Sequence, residues 1–144
     1  LNLQTTSRKK SFIKYCEHLG VDYEIYTTKH QMTGDEGYAV MNRVISGGNV
    51  PSALFCANDP LAMGAMQALL DVGIKVPDEV SIIGFNDVDA CNFTRPTLST
   101  VYAPSSEMGE IGASVLHNMI EGNDVFYPRR IQLPCQLVIR KSCK

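Results

Sequence analysis

The sequence predicts an α/β protein, a three-layer α/β/α sandwich with a mainly parallel sheet. Apolar runs of strand length alternate with segments whose apolar residues recur at helical spacing, and the links between them are short. Two of the runs, "SALFCA" at 52–57 and "VSIIGF" at 80–85, are continuously apolar, which is typical of strands covered on both faces. Strands and helices that alternate in this way form parallel sheets through right-handed crossovers.

The first half of the chain predicts helices around one strand-like segment. The first helix lies within 5–20, where apolar residues form a single stripe. The segment "VDYEIYTT" at 21–28 is rich in β-branched and aromatic residues and predicts a strand. The second helix covers 34–48, and the third covers 59–73, with Asp59 as its cap and a proline at the first helical position.

The rhythm changes after the strand at 80–85. A polar loop at 86–97 is followed by a strand-like segment at 98–103 and by a helix from about 104 to 121. The region 129–142 predicts a closing strand. Because the sequence shows no internal repeat and no long linker, we interpret residues 1–144 as part of a single domain.

Composition excludes several classes of protein. The 144 residues are 44% hydrophobic and 19% charged, with a formal net charge of -2, so the basic footprint of a nucleic-acid binder is missing. No apolar run approaches membrane-spanning length, and no signal-peptide pattern opens the sequence. The first residue, Leu1, is not an initiator, so upstream sequence is expected.

The cysteines indicate a reducing compartment. Their number is odd, five, and they are widely spaced without a Cys-x-x-Cys pair or a Cys/His cluster. This pattern argues against both a disulfide framework and a metal site, and nothing in the sequence indicates a cofactor. We therefore expect a cytoplasmic protein.

Two Asn-Asp pairs stand where predicted strands end. Asn58 and Asp59 follow the run at 52–57, and Asn86 and Asp87 follow the run at 80–85. The carboxyl ends of parallel strands open onto a crevice that commonly holds ligands, and polar groups gathered there suit a polyhydroxylated ligand. A second interpretation stays open at each position. Asp followed by Pro is a standard helix start, so Asp59 can be a helix cap. Each Asn can instead serve a turn, with its side chain bonded to the nearby backbone and not to a ligand.

Short motifs follow one another along almost the whole chain: "RKKSF" at 8–12, "GY" at 37–38, "AND" at 57–59, "VPDEVS" at 76–81, "GFND" at 84–87, "PTLSTV" at 96–101 and "LVIRKS" at 137–142. In this order they resemble the effector-binding domain of the lactose/galactose repressor (LacI/GalR) family of bacterial transcription regulators. The resemblance implies a periplasmic-binding-protein-like (type I) sensor of two lobes. Its cleft would hold a small effector, namely a sugar, a sugar phosphate or a nucleobase.

The resemblance also implies which residues bind the effector. By position these are Arg8, Met32, Asn58, Asp59 and Asn86. A planar guanidinium such as that of Arg8 can donate several hydrogen bonds to effector hydroxyls. Asn86 stands where the family usually has an aspartate, so the effector can present a different hydroxyl pattern or a negative group there. Met32 stands where several members place a stacking aromatic, which leaves apolar packing without ring stacking.

Complete members of that family begin with segments that these residues do not include. The resemblance implies a missing helix-turn-helix domain, through which alone operator DNA would be bound, and a missing first half of the amino-terminal lobe. Residues 1–144 would be one lobe plus a segment near 97–123 that crosses into the other lobe and exposes apolar surface here. The same comparison places Met63 and Phe93 at a homodimer contact, and ordinary core packing is the alternative for both. Effector binding would shift the population of two forms and so change operator affinity.

Two other classes of function compete with this interpretation. A solute-binding protein of a sugar transporter would share the fold, but its secreted environment fits poorly with five unpaired cysteines. An enzyme would need a nucleophile, base or metal set at the cleft. The three histidines are scattered, and no Gly-x-Ser-x-Gly, phosphate loop or His/Cys cluster is present, so we expect no catalytic residues.

Overall fold

A four-stranded sheet organises the computed structural model, which describes residues 3–28, 31–122 and 130–144. Its strands, in spatial order, are β1 (Ala53–Phe55), β2 (Ser81–Asn86), β3 (Ser99–Tyr102) and β4 (Gln136–Val138). The first three are parallel, and β4 runs antiparallel to β3. The helices are α1 (Leu3–Leu19), α2 (Gly34–Ser46), α3 (Asp59–Asp71) and α4 (Ser105–Ile120), and a short 3₁₀ helix covers Asp89–Asn92.

Helices flank both faces of this sheet. Successive side chains of a strand point to opposite faces, so Gly84 and Phe85 of β2 lie on different sides. On the face that carries Gly84, Asp59 at the start of α3 lies directly against this glycine. On the other face, the ring of Phe12 in α1 stacks on Phe55 of β1, with centroids 5.9 Å apart. The predicted α/β sandwich with a mainly parallel sheet is confirmed.

The α2 and α3 helices approach each other closely because glycines lie at their contact. A Cβ atom added at Gly64 would overlap the backbone of Gly34, and one added at Gly37 would overlap the backbone of Leu61. The core lies between these helices and the sheet. Its fully buried side chains include Leu69 of α3, Ile82 of β2 and Leu98.

The carboxy-terminal segment is held on the sheet by a buried serine. The Ser142 hydroxyl donates to the carbonyl of Ile82 at 2.7 Å and accepts from the backbone N–H of Ser99 at 2.7 Å. The backbone N–H of Ile82 in turn donates to the carbonyl of Ser142 at 2.7 Å. One side chain therefore ties the segment to two neighbouring strands.

Two strand predictions are wrong: one predicted strand is absent, and the other is shorter than predicted. No strand forms over 21–28, and the start of this segment bonds back to α1: the N–H of Val21 donates to the Cys16 carbonyl at 3.0 Å, and the Tyr23 hydroxyl donates to Glu17 at 3.4 Å. In the closing region only Gln136–Val138 is a strand, and residue 129 lies outside the described residues. The backbone N–H of Arg140 already turns away to the Ser99 hydroxyl, at 2.8 Å.

The helix predicted at about 104–121 is present as α4, and it has no buried side chain. Four of its apolar residues are exposed: Met108, Leu116, Met119 and Ile120. The expectation that the segment 97–123 exposes apolar surface is therefore confirmed for α4. It is wrong for the strand, because β3 pairs with both β2 and β4 and Leu98 is fully buried. Residue 123 lies outside the described residues.

Candidate functional site

Arg8 reaches from α1 to the ends of β1 and β2. Its Nη1 atom donates to the carbonyl of Ala57, and its Cζ atom lies 4.1 Å from the centroid of the Phe85 ring. Because Ala57 and Phe85 directly precede Asn58 and Asn86, the guanidinium lies near both Asn-Asp pairs. Burial lowers the pKa of Arg8 from its usual value, although an arginine stays protonated at neutral pH. The ring face stabilises the cation.

Asn58 is the N-cap of α3, so the prediction that Asp59 caps this helix is wrong. The Asn58 Oδ1 atom accepts a hydrogen bond from the N–H of Leu61 at 2.9 Å. Its Nδ2 atom donates to the carbonyl of Met32 at 2.8 Å. The side chain thus starts the helix and also fixes the chain at Met32 beside the end of β1.

Asp59 is the first residue of α3, and its side chain turns into the protein. Its Oδ1 atom accepts from the Thr100 hydroxyl at 2.5 Å, and its Oδ2 atom accepts from the N–H of Val88 at 2.9 Å. A Cβ atom at position Gly84 would overlap the carboxylate. Asp59 has 0% exposed surface, so this geometry gives an effector no access to it.

The next three residues after Phe85 form what we call the β2 exit turn, residues 86–88. Asn86 ends β2 with φ 112°, and Asp87 follows with φ 61°. Such conformations cost about 1–3 kcal/mol per residue and persist where the surroundings hold them. Asn86 is exposed, whereas the Asp87 Oδ1 atom pairs with Arg140 Nη2 at 2.8 Å, and Arg140 Nη1 donates to the carbonyl of Leu98 at 2.9 Å.

An open cavity of about 1270 Å³ lies between α1, segment 21–28, α2 and the outer edge of β1. Arg8 and Met32 line it, together with apolar side chains such as Phe12 and Phe55. Asn58 and Asn86 do not line this cavity. The structure therefore brings Arg8 to both strand ends and Met32 to Asn58, while Asn86 projects from the β2 exit turn.

The two predicted dimer residues differ in exposure. Phe93 directly follows the 3₁₀ helix and is 79% exposed, so it is free to meet a partner surface. Met63 is half-buried and packs against the core cluster. A dimer contact through these residues stays a prediction.

Two cysteines lie close to the buried Asp59 carboxylate. Burial, assisted by the nearby Asp59 carboxylate, raises the pKa of both Cys56 and Cys91 to about 12, so neither thiol is a ready nucleophile. Among residues 3–28, 31–122 and 130–144, no group of three or more His, Cys, Asp or Glu side chains could hold a metal ion. Within the same ranges, no helix combines the length and apolarity needed to cross a membrane.

Sequence reasoning missed three partners in this region. The Phe85 ring under Arg8, the Thr100 hydroxyl on Asp59 and the Arg140 cation on Asp87 all lie far away in the sequence. Only the aromatic residue carried a usable signal, since it directly precedes the second Asn-Asp pair.

Comparison with known proteins assigns this architecture to a family. A family model described as a periplasmic binding protein-like domain matches residues 2–143. The chain belongs to this family. The resemblance to the effector-binding domain of the LacI/GalR regulators is confirmed as well, because curated relatives of the domain are repressors and similar solved structures are LacI-type regulators.

Three relatives illustrate the match. The HTH-type transcriptional repressor PurR of Haemophilus influenzae (strain PittEE) is 38% identical over 112 residues, which is 76% of this domain and 33% of the repressor. A LacI-type transcription regulator from Bifidobacterium animalis subsp. lactis DSM 10140 has a TM-score of 0.90 at 26% identity, over 98% of this domain and 51% of that chain. A complex of the transcriptional regulator CelR with cellobiose has a TM-score of 0.86 at 25% identity, over 95% and 42%.

The periplasmic-binding-protein-like chain spans about a third of the length of the curated relatives it matches. Those relatives are transcriptional repressors, not enzymes or transport proteins, which favours the regulator interpretation over the transporter alternative.

Proposed function

We propose that residues 1–144 are the carboxy-terminal portion of the effector-binding and dimerisation domain of a LacI-type transcriptional repressor. The effector is a small polar molecule, a sugar, a sugar phosphate or a nucleobase, held in a cleft between this lobe and the rest of the polypeptide. The placement of Arg8 carries the proposal: its guanidinium lies on Phe85 and donates to Ala57, beside both Asn-Asp pairs. Relatives with such domains are repressors, and a similar solved structure is a complex of the transcriptional regulator CelR with cellobiose.

The proposed effector contacts are Arg8, Met32, Asn58 and Asn86. Arg8 supplies a cation with several donors, and the guanidinium is held by its contact with the Phe85 ring and its bond to the Ala57 carbonyl. Asn58 already uses one amide hydrogen and its carbonyl oxygen on the protein, so only its remaining capacity is open to a ligand. Asn86 is exposed and offers both a donor and an acceptor.

The mechanism is a population shift. A ligand that touches both lobes favours the closed form, and closure alters the geometry of a homodimer to which Met63 and Phe93 contribute. Operator DNA is bound through a helix-turn-helix domain outside these residues, so effector binding changes operator affinity by linkage. A repressor of this kind works in the cytoplasm, where operator DNA is accessible.

Calorimetry on the full-length protein tests the proposal. The titrants are ribose, cellobiose, glucose 6-phosphate and hypoxanthine, one from each class or size of effector. We expect one of them to bind, and Arg8→Ala to weaken that binding at least tenfold, because a charge-assisted donor pair is lost. Lys10→Ala removes an exposed cation from the same helix and should leave the affinity unchanged. Equal affinity in the wild type and in Arg8→Ala would remove Arg8 from the site.

A further inference from the structure

The strongest unexplained feature is the buried carboxylate of Asp59. Its exposed surface is 0%, and it lies at the amino terminus of a 13-residue helix, where a negative charge is stabilised by the helix dipole. It does not cap the helix, since Asn58 does that. A buried acid with both oxygens used by protein groups therefore needs another explanation.

Two hydrogen-bond partners of Asp59 belong to different segments that leave the sheet, and the buried Cys91 thiol is a further partner. Val88, which donates its N–H at 2.9 Å, is the last residue of the β2 exit turn. Thr100, which donates its hydroxyl at 2.5 Å, lies on β3, the strand that leads into α4. Hydrogen bonds to an ionised group are stronger than those between neutral groups, so this carboxylate joins α3, the turn and β3 firmly.

The β2 exit turn needs such an anchor. Asn86 and Asp87 both have positive φ, so the turn is held in a conformation that an L residue rarely adopts. Asp87 is fixed to Arg140 on one side, and Val88 is fixed to Asp59 on the other. Because the turn is held at both of its later residues, the direction of the exposed Asn86 side chain is set by its neighbours.

We propose that Asp59 is a positioning residue: it fixes the β2 exit turn, and thereby the direction of Asn86, while Thr100 holds its carboxylate in place. The inference rests on the proposed function in that Asn86 is one of the proposed effector contacts. Asp59 itself would touch no effector. Its role is to keep a neighbouring amide group ready in the orientation that binding needs.

The absence of space beside Gly84 adds an independent observation. A Cβ atom at this position would overlap the Asp59 carboxylate, although the φ of Gly84 is not in the left-handed region. The glycine therefore serves to admit the carboxylate and not to make a turn. Gly84→Ala should reproduce the local effect of changing Asp59.

The test uses the full-length protein labelled uniformly with ¹⁵N, so that the side-chain amide of Asn86 and the backbone amide of Val88 are both observed by NMR. The Asn86 signal is identified by its loss in Asn86→Ser. Asp59→Asn keeps the shape of the side chain and removes its charge. We expect it to move the Asn86 signal and to speed hydrogen exchange at the Val88 amide about tenfold, because a hydrogen bond to a charged acceptor is weakened. The signal of Asn42, on α2, should not move.

Matched variants separate a local from a general effect. Asp71→Asn changes a carboxylate at the other end of α3 that accepts from Tyr38 and Gln67, and it should leave Asn86 and Val88 unchanged. Thr100→Val should repeat the effect of Asp59→Asn, and Thr100→Ser, which keeps the hydroxyl, should restore the wild-type signals. If Asp59→Asn does not fold, the comparison of Thr100→Val with Thr100→Ser still tests whether the Asp59 hydrogen bonds hold the β2 exit turn.

Two results would overturn the proposal. An unmoved Asn86 signal and unchanged Val88 exchange in Asp59→Asn or Thr100→Val would show that the turn holds itself. A uniform rise in exchange across α2, α3 and the turn would show that Asp59 serves global stability only. If none of the four titrants binds in calorimetry, that result counts against the proposed function. The NMR results on the β2 exit turn do not depend on it.

Discussion

The helices α3 and α4 are of similar length but have opposite surroundings. α3 has 13 residues and buries seven of them, whereas α4 has 16 residues and buries none. Both carry apolar residues at helical spacing. An amphipathic pattern thus shows which face of a helix is to be buried, but not what buries it. The described residues do not bury the apolar face of α4.

The ends of the two helices differ in the same way. α3 begins with a side-chain cap from Asn58, and its small residues let α2 approach to backbone contact. α4 begins after Pro104 with no side-chain cap, and its glycines Gly109 and Gly112 face open space. The region of α2, α3 and the sheet, which we call the finished lobe, has its helices packed on the core. We infer that α4 is packed by the rest of the polypeptide.

The largest effect should come from shortening leucines in the two regions. Leu69→Ala on α3 removes a side chain with 0% exposure and should cost about 2–5 kcal/mol of unfolding free energy. Leu116→Ala on α4 removes one that is 58% exposed and should change it by less than about 0.5 kcal/mol. Urea unfolding of the 1–144 chain measures both. Equal costs would remove the contrast between the two helices.

Glycine substitutions sharpen the contrast because their signs should differ. Gly64→Ala would force apart α2 and α3 and should cost about 1–3 kcal/mol or more. Gly112→Ala meets no atom within 4 Å and should stabilise α4 by about 0.4–1 kcal/mol through helix propensity and a less free unfolded chain. Thermal unfolding of the same chain distinguishes them. A stabilising Gly64→Ala would contradict the close helix contact.

The finished lobe also depends on its carboxy-terminal tie. Ser142→Ala leaves the Ser99 N–H and the Ile82 carbonyl without this partner, and should cost about 1–3 kcal/mol. Ser106→Ala, on the exposed surface of α4, serves as the control and should have almost no effect. A neutral Ser142→Ala in chemical unfolding would show that the tie does not stabilise the fold.

The smallest expected effect is that of the titration of Cys91, a core residue beside Asp59, which does not change the free energy of unfolding near neutral pH. Burial raises the pKa of this thiol from 9.0 to about 12, so the folded state holds the proton more tightly than the unfolded state. The stabilisation is therefore complete below about pH 9 and is lost as the pH rises toward 12.

The comparison of wild type with Cys91→Ala isolates this titration from those of lysine and tyrosine. The excess stability of the wild type should shrink between pH 8.5 and about pH 10.5 in urea unfolding, in line with the linkage relation. A constant difference over this range would show that the thiol is not desolvated in the folded protein.

The sequence allowed the elements of the finished lobe to be predicted because their signals are local. "DPLAMGAMQALLDVG" carries its own start and stop, and α3 lies where this pattern indicates. The cap was misplaced by one residue, since Asn58 and Asp59 are both good caps and only the fold decides which one turns inward. Segment 21–28 has strand composition, yet it does not pair with the outer edge of β1, which lies across the open cavity from it.

The site was harder to predict because its bonds join distant segments. Asp59 and Thr100 are 41 residues apart, and Arg8 and Ala57 are 49 apart. No periodicity reports such pairs. The family resemblance indicated Arg8, Asn58 and Asn86, yet it gave no sign that Asp59 would be fully buried.

The most direct test of this account is hydrogen exchange, measured by mass spectrometry, in the 1–144 chain and in the full-length protein. Amides of α3 should be protected in both, whereas those of α4 should exchange rapidly in the 1–144 chain and become protected in the full-length protein. Equal protection of α4 in the two samples would contradict the claim that the rest of the polypeptide covers this helix.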